Sequence, residues 1–302
     1  MTTSSDVELF KARDGVTITY RRWLPDGEAG AAMQIVHGVS EHSGRYGRLA
    51  GALTGRGVAV YAMDLRGHGH TAQQTGVGRF GAGNASSMVD DIVALDLIMA
   101  DQQPGRPRVL LGHSMGSAFA LAAAEKHGAA LAGLVLSGAL GVNDRLPQTV
   151  SALEAAVDAG MGEQSLDLGT FNQAFEPART RYDWLSRDTG EVDAYIADPI
   201  CGDDMPLTYA YAAGFFALSV RASSPEGVAQ LPELPVLLLS GERDPVGGEA
   251  AAQVIALARL MEKRGLRVER RIYPDARHEV FNETNRDEVT ADLLAWLDER
   301  LA

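Results

Sequence analysis

The sequence predicts an α/β protein, a mostly parallel sheet covered by helices on both faces and interrupted once by a long helical segment. Three observations predict it. Short runs rich in Val, Leu and Ile alternate with longer helical patterns along most of the 302 residues. Several of these runs are continuously apolar, which marks strands buried on both faces. Many of the 33 glycines fall in clusters at the ends of the apolar runs, where strands turn into helices.

In chain order the expected strands are VTITYRR (16–22), AMQIVHG (32–38), VAVYAMD (58–64), RVLLGH (108–113), LAGLVLSG (131–138), PVLLLSG (235–241) and RVERRIYP (267–274). Helical patterns fill 44–55, 85–101, 115–126, 248–264 and 286–301. The alternation fails between about residues 141 and 230, which hold only helical and loop segments rich in Asp, Ala and aromatic residues. The expected organisation is a core of 1–140 and 231–302 carrying an inserted helical lid, 141–230. No internal repeat is found.

Composition excludes several function classes. A net charge of −13, with no basic stripe, speaks against nucleic-acid binding, which needs clustered Lys and Arg. The lone cysteine, Cys201, cannot form an internal disulfide, which fits a reducing compartment. The N-terminal MTTSSDVELFKARDG has neither a basic head nor an apolar segment, so no signal peptide is expected. The longest weakly polar stretch, 128–142, is short for a membrane span and broken by glycines. A soluble, cytoplasmic protein is expected.

GHSMGS (112–117) fits G-x-S-x-G, with Gly112 and Gly116 flanking Ser114 between an apolar strand and a strong helical pattern. That context makes Ser114 a nucleophile candidate on a sharp strand-to-helix turn. A serine hydroxyl needs a base, itself oriented by a carboxylate, and on this arrangement the chain order is Ser, acid, His. Only His127 and His278 follow Ser114. His127 ends the helix that starts beside the serine and reads as a solvated helix-end residue. His278 follows the last strand and is the expected base. For the acid, SGERDPVG after PVLLL offers Asp244, with Glu242 read as a solvated turn residue and Asp275 as the runner-up.

The attacked carbonyl needs fixed donors for its developing charge. The N–H of Met115, at a helix N-terminus, is one; the N–H of Val39, in HGVSEHSGRY (37–46), is the natural second. Glu41 and Arg45, spaced i, i+4, are expected to pair and hold this loop. DLRGHGHT (64–71) places Asp64, His68 and His70 close together but supplies no ordered set of three ligands, so it reads as a braced turn and no metal is expected. No cofactor is expected either.

GHSMGS, HGVSEHSGRY, DLRGHG, SGERDPV and ARHEVFNE, in this order and spacing, resemble the α/β-hydrolase fold, and within it the monoacylglycerol lipase and lysophospholipase group of serine aminopeptidase S33-type hydrolases. The resemblance runs from about residue 7 to 300, and FEPARTRYDWLSRDTGEVDAYIADPICG is similar to the lid of lysophospholipase-like members. It implies Ser114, Asp244 and His278 as triad and Val39 and Met115 as oxyanion donors. Ser40 stands where many members have glycine, and Thr71 where a serine is common.

In the lid, LTYAYAAGFFALSV (207–220) puts Tyr211, Phe215 and Leu218 on one helical face. That face is read either as packing within the protein or as an acyl-binding wall, and the two roles are compatible. Cys201 is expected to be a buried, inert thiol. The expected activity is hydrolysis of an ester with a hydrophobic acyl chain, most of all a monoacylglycerol, with transient membrane or micelle contact through the lid. Alternatives are a lysophospholipase, a broad carboxylesterase, a peptidase, a cofactor-free perhydrolase or a non-catalytic binding protein.

Overall fold

Two apolar layers, one on each face of a single twisted sheet, organise the chain in the computed structural model. It describes residues 5–167 and 169–301. Residues 1–4, at the start of the stretch weighed as a leader, lie outside the described residues, as do 168 and 302. The strands are β1 (Asp6–Lys11), β2 (Thr17–Trp23), β3 (Ala31–Val36), β4 (Val58–Met63), β5 (Arg108–His113), β6 (Gly133–Ser137), β7 (Val236–Gly241) and β8 (Val268–Tyr273). Their order across the sheet is β1-β2-β4-β3-β5-β6-β7-β8. β1–β2 and β2–β4 pair antiparallel and every later pair is parallel.

The helices are α1 (Gly47–Thr54), α2 (Ala72–Thr75), α3 (Ala85–Gln102), α4 (Met115–His127), α5 (Leu146–Ala156), α6 (Thr189–Ala197), α7 (Tyr209–Ala222), α8 (Pro225–Ala229), α9 (Ala252–Arg264) and α10 (Arg286–Leu301). Alternate side chains of the buried strands feed the two layers, as the two-residue period of a strand requires. Met33, Ile35, Val109, Leu111, Leu237 and Leu239 pack with Leu49 and Leu53 of α1 and Leu293 and Trp296 of α10. On the other face Val36, Leu110, Leu136 and Leu238 meet Leu95 and Met99 of α3, Phe119 of α4 and Leu257 of α9.

The seven expected strands are present within one or two residues of their predicted ends. β1 was not expected. Its DVELFK is mostly exposed at the sheet's edge, with Val7 and Leu9 facing outward, so it lacks the apolar run that marks its neighbours. Between β6 and β7 the described residues hold helices, short turns and one isolated bridge, Ser165 with Thr208, but no strand. β3, β5, β7 and β8 all end toward the same edge, and the loops leaving that edge carry Val39, Ser114, Asp244 and His278.

Candidate active site

Ser114 is the single residue between β5 and α4, and its backbone sits at φ 53° and ψ −122°. A non-glycine residue held there stores about 1–3 kcal/mol. The two glycines make the turn feasible. A Cβ on Gly116 would lie 2.1 Å from the Val36 carbonyl oxygen, and one on Gly112 would lie 2.4 Å from that of Gly116. The turn is closed by the Ser114 N–H donating to the Ser137 carbonyl at 2.8 Å and by the Ser117 hydroxyl donating to the Ser114 carbonyl at 2.6 Å.

The Ser114 hydroxyl donates to His278 Nε2 at 2.8 Å, and His278 Nδ1–H donates to both Asp244 oxygens at 2.9 and 3.0 Å. All three residues are buried. Asp244 Oδ1 also accepts from the Val246 N–H at 2.9 Å, which fixes the carboxylate's plane. The rings of His113 and Trp184 each lie tilted against the His278 imidazole, with centroids 4.9 Å away. Burial works against its protonated form, but the charge and hydrogen bond of Asp244, joined by Glu279 and Glu41, outweigh it and raise the His278 pKa. His113 goes the other way: burial and the neighbouring His278 push it down to about 4, so it stays neutral.

The loop after β3 is held from several sides. His37 Nδ1–H donates to the Gly38 carbonyl at 2.7 Å, while Nε2 accepts from the Leu65 N–H at 2.9 Å, so the tautomer is set by its partners. A trans peptide points its N–H away from its carbonyl, so this bond on Gly38 also orients the N–H of Val39. Glu41 Oε1 accepts from the Gly38 N–H at 2.5 Å and from the Tyr46 hydroxyl at 2.9 Å. Arg45 donates to Glu41, as its spacing predicts, and in two parallel bonds of 2.6 and 2.8 Å to Glu279. Burial alone would raise the Glu41 pKa, but Arg45, His113 and His37 bring it down to about 2. Met115 opens α4, so its N–H has no acceptor within the helix.

A cavity of about 420 Å³ opens over Ser114 and His278. Val39, Leu166, Trp184, Leu185 and Pro206 give it apolar walls, and Ser165, Asp167, Arg181, Tyr182 and Asp203 give it a polar side. Arg181 pairs with Asp167 at 2.6 Å and with Asp203 at 3.2 Å, and the Tyr182 hydroxyl donates to Asp203 at 2.6 Å.

Tyr211, Phe215 and Leu218 are not among the residues lining this cavity. Their face of α7 packs into the main core. Tyr211 is 1% exposed, stacks on Phe80 and donates to the Arg66 carbonyl at 3.1 Å, and Phe215 stacks near Phe119. Of the two roles weighed for this face, packing is the one the contacts describe. The reason is position: α7 packs against α3, α4 and α5. His127 is also better tied than a solvated helix end, since its ring bonds Asp96 at 2.9 Å.

Trp184, Glu279 and Tyr195 line the cavity without having been singled out in the sequence. Asp275 sits at φ 57° and its N–H donates to Glu242 at 3.2 Å, a turn role for both. In DLRGHGHT, Asp64 accepts from the Ser43 N–H and hydroxyl and from the His70 N–H, bracing the turn. Arg66 pairs instead with Asp14 and Asp91.

Among the described residues, His42, Asp198 and Cys201 have atoms spaced as metal ligands. The hydrogen bonds oppose that use. The Gly44 N–H donates to His42 Nδ1 at 3.1 Å, so the ring hydrogen sits on Nε2 and is given to Asp198 at 2.9 Å. Burial drives the Cys201 thiol far above its ordinary pKa, the reverse of what a metal-bound thiolate needs.

The family model described as serine aminopeptidase, S33, matches residues 27–285. The chain belongs to this family. The S33 hydrolase is 30% identical to the monoacylglycerol lipase of Mycolicibacterium smegmatis over 95% of each chain. It is 29% identical to the monoglyceride lipase of Homo sapiens, over 96% of this chain and 89% of that one. Its fold is similar to that of a thermostable carboxyl esterase from Bacillus coagulans, solved in complex with glycerol, with a TM-score of 0.90, 28% identity and full coverage of both chains. The architecture is the α/β-hydrolase fold.

Proposed function

We propose that this S33 hydrolase is a serine ester hydrolase whose substrate is a monoacylglycerol. The observation that carries the reading is the unbroken hydrogen-bond chain Ser114–His278–Asp244 at the floor of the cavity. The names of the relatives at 30% and 29% identity support the substrate class.

In this reading Ser114 Oγ attacks the ester carbonyl as its proton passes to His278 Nε2. The oxyanion is met by the N–H groups of Val39 and Met115. His278 then protonates the alcohol oxygen, and glycerol leaves. A water gives its proton to the same imidazole and attacks the acyl-enzyme, freeing the fatty acid and restoring Ser114. Asp244 holds the Nδ1–H tautomer and stabilises the imidazolium.

We assign residues 141–230 as a lid, because Ser165, Leu166, Arg181, Tyr182, Trp184 and Asp203 from this segment wall the cavity. The polar side of the cavity favours a hydroxylated head group over a phosphorylated one, since Asp167 and Asp203 outnumber Arg181 there. Among the described residues no helix is long and apolar enough to cross a membrane; in this reading transient contact with a membrane or micelle is made through the lid.

Ser114→Ala is expected to abolish release of p-nitrophenol from acyl esters while the melting temperature stays near that of the wild type. An unchanged rate would sink the assignment. Rates compared across monoacylglycerols, lysophospholipids and short p-nitrophenyl esters test the head-group preference, with monoacylglycerols fastest.

A further inference from the structure

The loop that carries Val39 has one anchor in the core and another in the β6–β7 connection, and Ser40 makes the second. Gly38 is fixed from the core by His37 on its carbonyl and Glu41 on its N–H. Two residues on, the Ser40 hydroxyl donates to the Met205 carbonyl at 2.8 Å, and the Ser40 carbonyl accepts from the Gly202 N–H at 2.9 Å. Ser40 is buried and sits at φ 53°, a conformation a non-glycine residue keeps only where its surroundings impose it. Both of these Ser40 bonds go to the connection.

The same stretch is bound twice more: His42 donates to Asp198, and the Arg45 guanidinium lies 4.8 Å over the Tyr195 ring. Tyr195, Gly202, Asp203 and Pro206 are themselves walls of the cavity. The wall that substrate would touch and the backbone that would bind the oxyanion are therefore one hydrogen-bonded unit.

We propose that Ser40 is a positioning residue that couples the seating of segment 195–206 to the placement of the Val39 N–H. With the segment seated, Ser40 is locked in its left-handed conformation and the N–H faces the reacting carbonyl. With the Ser40 bonds lost, the loop relaxes toward negative φ and the donor moves off target. The inference rests on the oxyanion role proposed for Val39 and adds a cause for its geometry. It predicts a defect in the transition state rather than in substrate binding.

The test uses the full chain with Ser40→Ala and Ser40→Gly, assayed on p-nitrophenyl butyrate and p-nitrophenyl decanoate. Both variants lose the hydroxyl, but glycine takes the left-handed backbone without strain, so Ser40→Gly should melt no lower than Ser40→Ala. In Ser40→Ala kcat is expected to fall roughly tenfold on both esters, a fraction of the loss from deleting an oxyanion donor outright, and in Ser40→Gly, which keeps the left-handed backbone, by less. KM should change by less than about twofold. Ki for butylboronic acid, whose adduct with Ser114 mimics the tetrahedral state, should rise in step with the fall in kcat/KM. A kcat within about twofold of wild type in both variants, a loss carried by KM alone, or an unchanged boronate Ki would overturn the proposal. Those outcomes leave the serine-hydrolase reading standing, which only an active Ser114→Ala would remove.

Discussion

Charge placed around one imidazole sets the working pH. His278 is raised above its ordinary 6.5 because Asp244, Glu279 and Glu41 together overcome its burial. The base function proposed for it needs the neutral form, so kcat/KM should rise with pH through a midpoint above 6.5 and be lost as pH falls below it. Glu279→Gln removes one of the three negative neighbours and leaves Arg45 behind, so the midpoint should move down; a pH–rate profile of both proteins checks the sign. The hydrogen-bonded chain Ser114–His278–Asp244 was legible in the sequence because chain order and strand ends restrict the choice to one histidine and one well-placed acid. Glu279 and Trp184 were not. Glu279 pairs with Arg45 across 234 residues, and the Trp184 ring lies tilted against that of His278, and no local pattern encodes either contact.

At the scale of elements, β3 to β7 were legible because burial on both faces writes an unbroken apolar run. β1 escaped because one exposed edge strand of mixed charge writes no such run. α7 shows a subtler failure. Its apolar stripe correctly predicted a helix with one buried face, but periodicity says nothing of what that face meets. Here it meets Phe119 and Phe80. Phe215→Ala should therefore cost about 3–5 kcal/mol of stability, as large-to-small core changes do, with KM for a p-nitrophenyl ester unchanged. Denaturant unfolding alongside steady-state kinetics separates this from a substrate-wall role, in which KM would rise and stability would hold.

The whole molecule carries a net charge of −13, and a surface of that sign is repelled by an anionic bilayer. Hydrolysis of a monoacylglycerol in anionic vesicles should be slower than in neutral ones at about 10 mM salt, and the gap should close near 0.15 M, where the screening length falls from roughly 30 to 8 Å. A salt titration on both vesicle types checks it. The strand rhythm of the sequence stops between β6 and β7, and the described residues there hold helices and no strand. β6 and β7 lie side by side in the sheet, with Ser137 level with Leu239. The connection between them therefore leaves and re-enters the core at adjacent strands, whatever its length. Closing a loop of about a hundred residues instead of a dozen costs only about 2 kcal/mol more, because each doubling adds about 0.6. Most of the cavity's walls thus sit on a stretch that can be lengthened, shortened or exchanged with little penalty to the sheet, while Ser114, Asp244 and His278 hang from strands that stay put. In the proposed reading, substrate preference and bond-breaking chemistry therefore sit on separate pieces of the chain, joined at the few bonds that Ser40 and His42 make to the connection.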